Sequence, residues 1–122
     1  MLRIAFGIVI AGAVLGAGLA ILYLRGAAAA PHLALRLIHG VLGAAGLALL
    51  AAVLRHGLPP AINGTAGFGA IAAAFLGLAL AFGLLIAFAG WRGRRPGGLL
   101  VATHASLAIA GVVMLVTLIA LG

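Results

Sequence analysis

Apolar residues form four long runs in this chain, and polar residues fall mainly between them. Each run has the roughly 20 residues that a helix needs to cross a bilayer. No run alternates between apolar and polar positions, so helices are predicted rather than the strands of a membrane barrel. The predicted spans are Ile4–Leu24, Leu33–Leu54, Phe68–Ala89 and Leu99–Leu121.

The connections between these spans are short, which leaves almost no chain outside the membrane. Arg25–Pro31 joins the first two spans and Trp91–Pro96 joins the last two. Short connections make neighbouring helices antiparallel. The predicted fold is therefore an all-α membrane protein with four transmembrane helices in an up-down bundle, and residues 1–122 form one transmembrane domain.

The chain matches itself when it is shifted by 65 residues without a gap. This shift places His39 on His104, Pro31 on Pro96, and several glycines on glycines. The predicted repeat units are residues 1–57 and 66–122, two helical hairpins that face the same way across the membrane. A chance match in a chain so rich in alanine, leucine and glycine is the alternative explanation.

The charged residues are seven arginines and no acid, which gives a net charge of +7. These arginines lie at the ends of apolar spans instead of forming one patch, so nucleic acid is not an expected partner. One side of the membrane has Arg25, Arg92, Arg94 and Arg95, with Arg36 just inside helix 2, and the other side has Arg3 and Arg55. The positive-inside rule then places both termini outside the cytoplasm. The expected location is a bacterial inner membrane.

Two histidines, His39 and His104, lie inside apolar spans, where a polar side chain is costly and indicates a functional site. Each lies about six residues into its span, or ~9 Å deep at 1.5 Å per residue. Helices 2 and 4 run in the same direction, so the two imidazoles can meet at one depth. This arrangement suits an iron held by two axial histidines across a helical bundle.

Small residues follow each histidine on its own helical face. Gly43 and Gly46 follow His39, and Ala108 and Gly111 follow His104, with steps of four and three residues. These small side chains are expected to leave room for a flat macrocycle. Arg36, one turn towards the surface from His39, is expected to meet a haem propionate. The predicted cofactor is one haem b, with His39 and His104 as metal ligands.

In these features the chain resembles bacterial membrane-bound b-type cytochromes. The resemblance rests on His39 and His104, the small residues beside them and the size of the bundle. It implies an electron-transfer protein or subunit that exchanges electrons with a quinone or a partner protein. The larger members of that family place four histidines as two ligand pairs, whereas at most one haem is predicted here.

Two other functions remain open. In the first, the chain is a structural or accessory subunit of a larger membrane complex without a cofactor, and His39 bonds a backbone carbonyl or a hydroxyl on another helix. In the second, it is a small transporter that works as a dimer, with histidine carrying protons. Either interpretation keeps the lipid bilayer and other membrane subunits, or a second copy of the chain, as expected partners.

Enzymatic chemistry by the chain alone is not predicted. No carboxylate is present for acid–base work and no cysteine for thiolate chemistry, so no catalytic residue is proposed. The remaining enzymatic role is that of an electron-transfer subunit in an oxidoreductase complex. A metal site without haem is disfavoured, since carboxylate and thiolate ligands are absent.

Overall fold

The computed structural model describes residues 1–26, 33–58 and 65–121, and these ranges form four α-helices. The helices are α1 (Leu2–Leu24), α2 (Leu33–His56), α3 (Ala66–Trp91) and α4 (Gly98–Ala120). Each is long and apolar enough to cross a membrane, so the all-helical prediction with four spans is confirmed. Pro31, one of the residues matched by the 65-residue shift, lies outside the described residues.

The helix ends differ from the predicted spans by at most two residues. α2 continues through Arg55 and His56, beyond the apolar run, because basic side chains favour the last turn of a helix. α1 and α3 are each followed by a glycine with positive φ, Gly26 at 62° and Gly93 at 70°. A glycine in this left-handed conformation is the usual way to end a helix.

Neighbouring helices pack in antiparallel pairs. The close contacts of α1 with α2 join Gly16 to His39, then Gly12 to Leu42, so the residue numbers run in opposite directions. α3 and α4 are also antiparallel, since Gly83 contacts His104 and Leu76 contacts Gly111. α1 and α3 each pack against both α2 and α4, which places α2 and α4 diagonally across the bundle.

The tightest packing lies at the end of the bundle that holds the start of α1 and the end of α2. The fully buried side chains there are Ala5, Leu50, Ala72, Leu115 and Leu118. Lipid gives no hydrophobic drive for helix association, so close approach through small residues has to stabilise the bundle. At Gly46, a Cβ atom would lie 2.7 Å from Cγ2 of Val9. Gly111 meets Leu76 in the same way.

Corresponding contacts in the two hairpins follow two different spacings. Along α2 and α4 they are 65 residues apart: His39 and His104, Gly46 and Gly111, Leu50 and Leu115. Along α1 and α3 they are 67 apart: Ala5 and Ala72, Gly16 and Gly83, Gly26 and Gly93. The gapless 65-residue shift pairs Gly18 with Gly83, but it is Gly16 that lies against a histidine as Gly83 does. The two-residue difference falls in the connections, since four residues lie between Gly26 and Pro31 and two lie between Gly93 and Pro96.

Candidate functional site

His39 is fixed against α1 by a hydrogen bond and by a close fit. Its Nδ1 lies 2.8 Å from the carbonyl oxygen of Gly12. A Cβ atom at Gly16 would lie only 2.7 Å from Cε1 of the imidazole, so the ring rests directly on the α1 backbone. Only glycine at position 16 leaves the ring this close to α1 without displacing it.

His104 has the same arrangement in the second hairpin. Its Nδ1 lies 2.7 Å from the carbonyl oxygen of Ala79 on α3. A Cβ atom at Gly83 would lie 3.1 Å from Cε1 of His104. Each histidine therefore bonds to a backbone carbonyl on the other helix of its own hairpin. It also rests on the glycine four residues after that carbonyl, Gly16 for His39 and Gly83 for His104.

These hydrogen bonds determine which imidazole nitrogen carries the proton. A carbonyl oxygen can only accept, so Nδ1 donates in both rings and the neutral imidazole has its lone pair on Nε2. Neither Nε2 has a hydrogen-bond partner among the described residues, and neither is fully buried. In the neutral form, each ring thus has its Nε2 available as an acceptor or a ligand.

The two imidazoles meet in the interior of the bundle. Their ring centroids are 6.0 Å apart and the ring planes are nearly perpendicular, at 83°. The diagonal positions of α2 and α4 make this meeting possible, because residues facing inward from both helices point towards a shared axis. The prediction that the two histidines reach one depth agrees with this geometry.

The small residues predicted beside the histidines have different surroundings. A Cβ atom at Gly43 would meet no atom within 4 Å, so the position one turn from His39 is open. Ala108 is half-buried on α4. Gly46 and Gly111, by contrast, are buried against Val9 and Leu76, so they serve helix packing in each hairpin.

Arg36 extends from α2 to the last turn of α3. Its guanidinium lies against Gly90, where a Cβ atom would overlap Nη2. The side chain is half-buried and lies one helical turn from His39, on the side nearer the arginine-rich connections. It therefore lies between the histidine pair and the arginine-rich end of the helices.

The groups that hold the imidazoles are absent from the predicted site. Gly16, Gly83 and the carbonyl oxygens of Gly12 and Ala79 belong to helices 1 and 3, which have almost no polar side chains. The two acceptors share one regularity in the sequence. Both carbonyls lie 14 residues before the glycine that ends their helix, Gly26 or Gly93.

Donor groups for a metal are few. Within the described ranges, no group of three or more histidine, cysteine, aspartate or glutamate side chains is placed to hold a metal ion. The histidine pair therefore offers two imidazole groups to a metal bound there.

No protein-family model, curated protein or solved structure matches this chain.

Proposed function

We propose that the protein carries one b-type haem between His39 and His104 and transfers electrons within a bacterial inner membrane. The observation that supports this most directly is that both imidazoles have the same hydrogen-bonding arrangement. Both use Nδ1 to donate to a backbone carbonyl and keep Nε2 free. Histidines that bind metals are oriented in this way, with the second nitrogen bonded to a carbonyl, carboxylate or water.

The spacing of the rings also fits one shared iron. His39 and His104 would both hold the iron through Nε2, which requires their two rings to lie close together. The observed separation is 6.0 Å. Haem supplies four nitrogen ligands of its own, so a site with only two protein ligands is sufficient for it.

Charge favours the same cofactor. Gly43 and Ala108, the small residues one turn from the histidines, are proposed to admit it, and a Cβ atom at Gly43 would meet nothing within 4 Å. Haem brings two carboxylates, and this chain has no acid that would compete for its arginines. Arg36 lies one turn from His39 and would pair with a propionate. Haem would supply a reversible one-electron change of the iron. The protein would hold and orient it and keep it out of water.

The proposal includes a topology for the chain. The chain would be an up-down bundle of two duplicated hairpins, with both termini outside the cytoplasm. The connection within the first hairpin would be two residues longer than that within the second. The haem site then lies between the duplicated units. One haem near one surface does not span the bilayer, so a quinone or another membrane subunit is the proposed redox partner, and enzymatic activity would need that complex.

A cofactor-free accessory subunit is the second candidate. Each histidine already has a carbonyl partner in its own hairpin, so a bound group is not required to satisfy Nδ1. A separation of 6.0 Å at 83° is also within the range of an ordinary edge-to-face ring contact. In this case the histidines would only join helices within each hairpin.

A spectrum of the purified protein separates the two candidates. The full chain is expressed with excess haem, purified in detergent and examined by reduced-minus-oxidised absorbance, together with a pyridine haemochrome assay. We expect the bands of a low-spin b-type haem and about one haem per chain. A colourless protein without iron would exclude the proposal and leave the accessory role.

Gly16 provides a test of the support around His39. Replacement of Gly16 by alanine would place a methyl group 2.7 Å from Cε1 and push the ring away from the Gly12 carbonyl. Loss of such orienting contacts typically costs about 10–100-fold in metal affinity, so we expect haem content to fall accordingly. Gly18→Ala is the matched control, since a Cβ there meets nothing within 4 Å. Equal haem content in the two variants would contradict the positioning role of Gly16.

A further inference from the structure

We propose that one end of the bundle binds the phosphate groups of anionic phospholipids in the adjacent leaflet. This arginine-rich end consists of Arg25, Arg92, Arg94 and Arg95, with Arg36, the proposed propionate partner, at its inner edge. The chain contains no aspartate or glutamate, so none of these guanidinium groups has a carboxylate side chain to pair with. Arginine binds phosphate with paired hydrogen bonds, which makes an external anion of this kind the expected partner.

Contacts around Tyr23 bring separate parts of the chain together at this end. The guanidinium of Arg95 lies 5.0 Å from the centroid of the Tyr23 ring, and its Nη2 donates to the Tyr23 carbonyl at 3.2 Å. The Tyr23 hydroxyl donates to the carbonyl of Pro96 at 3.0 Å. The end of α1, with Arg25, is thereby joined to the connection between α3 and α4.

Two further arginines are held at the same end. Arg92 lies over the Phe88 ring, 4.7 Å from its centroid, and Arg36 of α2 lies against Gly90 of α3. Stacking on an aromatic ring leaves the guanidinium edge free to donate hydrogen bonds. Three helices and one connection therefore place cationic groups around one region, and four of the five arginines are exposed.

The surroundings favour a lipid over a free phosphate ion. Large apolar side chains beside the arginines are strongly exposed: Trp91 at 84%, Leu24 at 80% and Leu99 at 83%. Such side chains are stable where the headgroup region meets the acyl chains, and tryptophan is enriched there. A ligand with both a phosphate and acyl chains satisfies the arginines and these apolar groups together.

Thermal unfolding in lipid-doped micelles tests the proposal. The full chain in a neutral detergent is titrated with phosphatidylglycerol, with phosphatidylcholine or with inorganic phosphate, and Tm is followed by the helical circular dichroism signal. We expect a saturable rise of Tm with phosphatidylglycerol only. A shift of the same size with phosphatidylcholine, or with inorganic phosphate, would overturn the assignment to anionic lipid.

Matched double variants locate the binding end. Arg25→Gln with Arg94→Gln removes two exposed charges at the arginine-rich end, and Arg3→Gln with Arg55→Gln removes two at the other. We expect the apparent affinity for phosphatidylglycerol to weaken about fivefold for each arginine lost in the first pair. One basic residue near an anionic membrane surface strengthens binding by about this factor. The second pair should leave it unchanged. Equal weakening in both pairs would overturn the proposal.

Discussion

Replacement of His39 or of His104 by alanine is expected to abolish the low-spin haem spectrum. Each substitution would remove one of the two side chains proposed to hold the haem, and within the described ranges no third histidine, cysteine, aspartate or glutamate is grouped with them. Loss of an orienting contact alone typically costs about 10–100-fold in metal affinity, so loss of a ligand should cost at least as much. The measurement is haem content and reduced-minus-oxidised absorbance of the purified variants.

His56→Ala is the matched control for this experiment. His56 is exposed at the end of α2, far along the helix from His39, and it has no place in the proposed site. This variant should keep the full spectrum. If His39→Ala and His104→Ala also kept a low-spin spectrum with one haem per chain, the haem would be bound elsewhere and the proposed ligands would be wrong.

The second large effect is expected at the tightest helix contacts. A methyl group at Gly46 would lie 2.7 Å from Cγ2 of Val9 and 3.3 Å from its backbone nitrogen. A methyl at Gly111 would lie 2.7 Å from Cγ of Leu76 and 3.2 Å from its nitrogen. Backbone atoms cannot move aside as side chains can. Gly46→Ala and Gly111→Ala should each lower the free energy of unfolding by about 1–3 kcal/mol, the usual cost of overpacking.

Gly40→Ala should change stability in the opposite direction. Gly40 is on the same helix as Gly46, but a Cβ there meets no atom within 4 Å. Without a clash, alanine should stabilise the helix by up to about 1 kcal/mol, because glycine is the weaker helix former. Unfolding in detergent, followed by circular dichroism, gives both values. A stabilised Gly46→Ala variant would show that α1 and α2 are not in close contact there.

The sequence predicted the helices well because membrane spans depend mainly on one property, the hydrophobicity of a long run of residues. A run of about 20 apolar residues has few structural options in a bilayer, and this property alone located all four helices to within two residues. The ends were less certain, since they depend on local groups. Arg55 and His56 remain helical although they are polar, and Gly26 and Gly93 end their helices by adopting positive φ.

The two histidines could be found by composition, but their supports could not. His39 and His104 stand out because polar side chains are rare in apolar spans. Their partners are backbone carbonyls and glycines, which every helix contains. Only the relative register of two helices identifies Gly12 and Ala79 as acceptors. The gapless 65-residue shift places Gly77, not Ala79, opposite Gly12, so it does not pair the two acceptors.

Arg36 shows a further limit of reasoning from one helix at a time. Its position on the face of His39 could be predicted from helical spacing. Its contact with Gly90 depends on how α2 packs against α3, and glycine at position 90 is what admits the guanidinium there. A side chain at that position would direct Arg36 elsewhere.

The pairing of each histidine within its own hairpin has a consequence for biogenesis. Helices that enter a membrane one after another expose their polar groups to lipid until partners arrive. Here the acceptor for His39 is on α1, which is synthesised first, and the acceptor for His104 is on α3, which also precedes it. Each imidazole can therefore be satisfied as soon as its own helix inserts, and the two rings come together only when the completed hairpins associate.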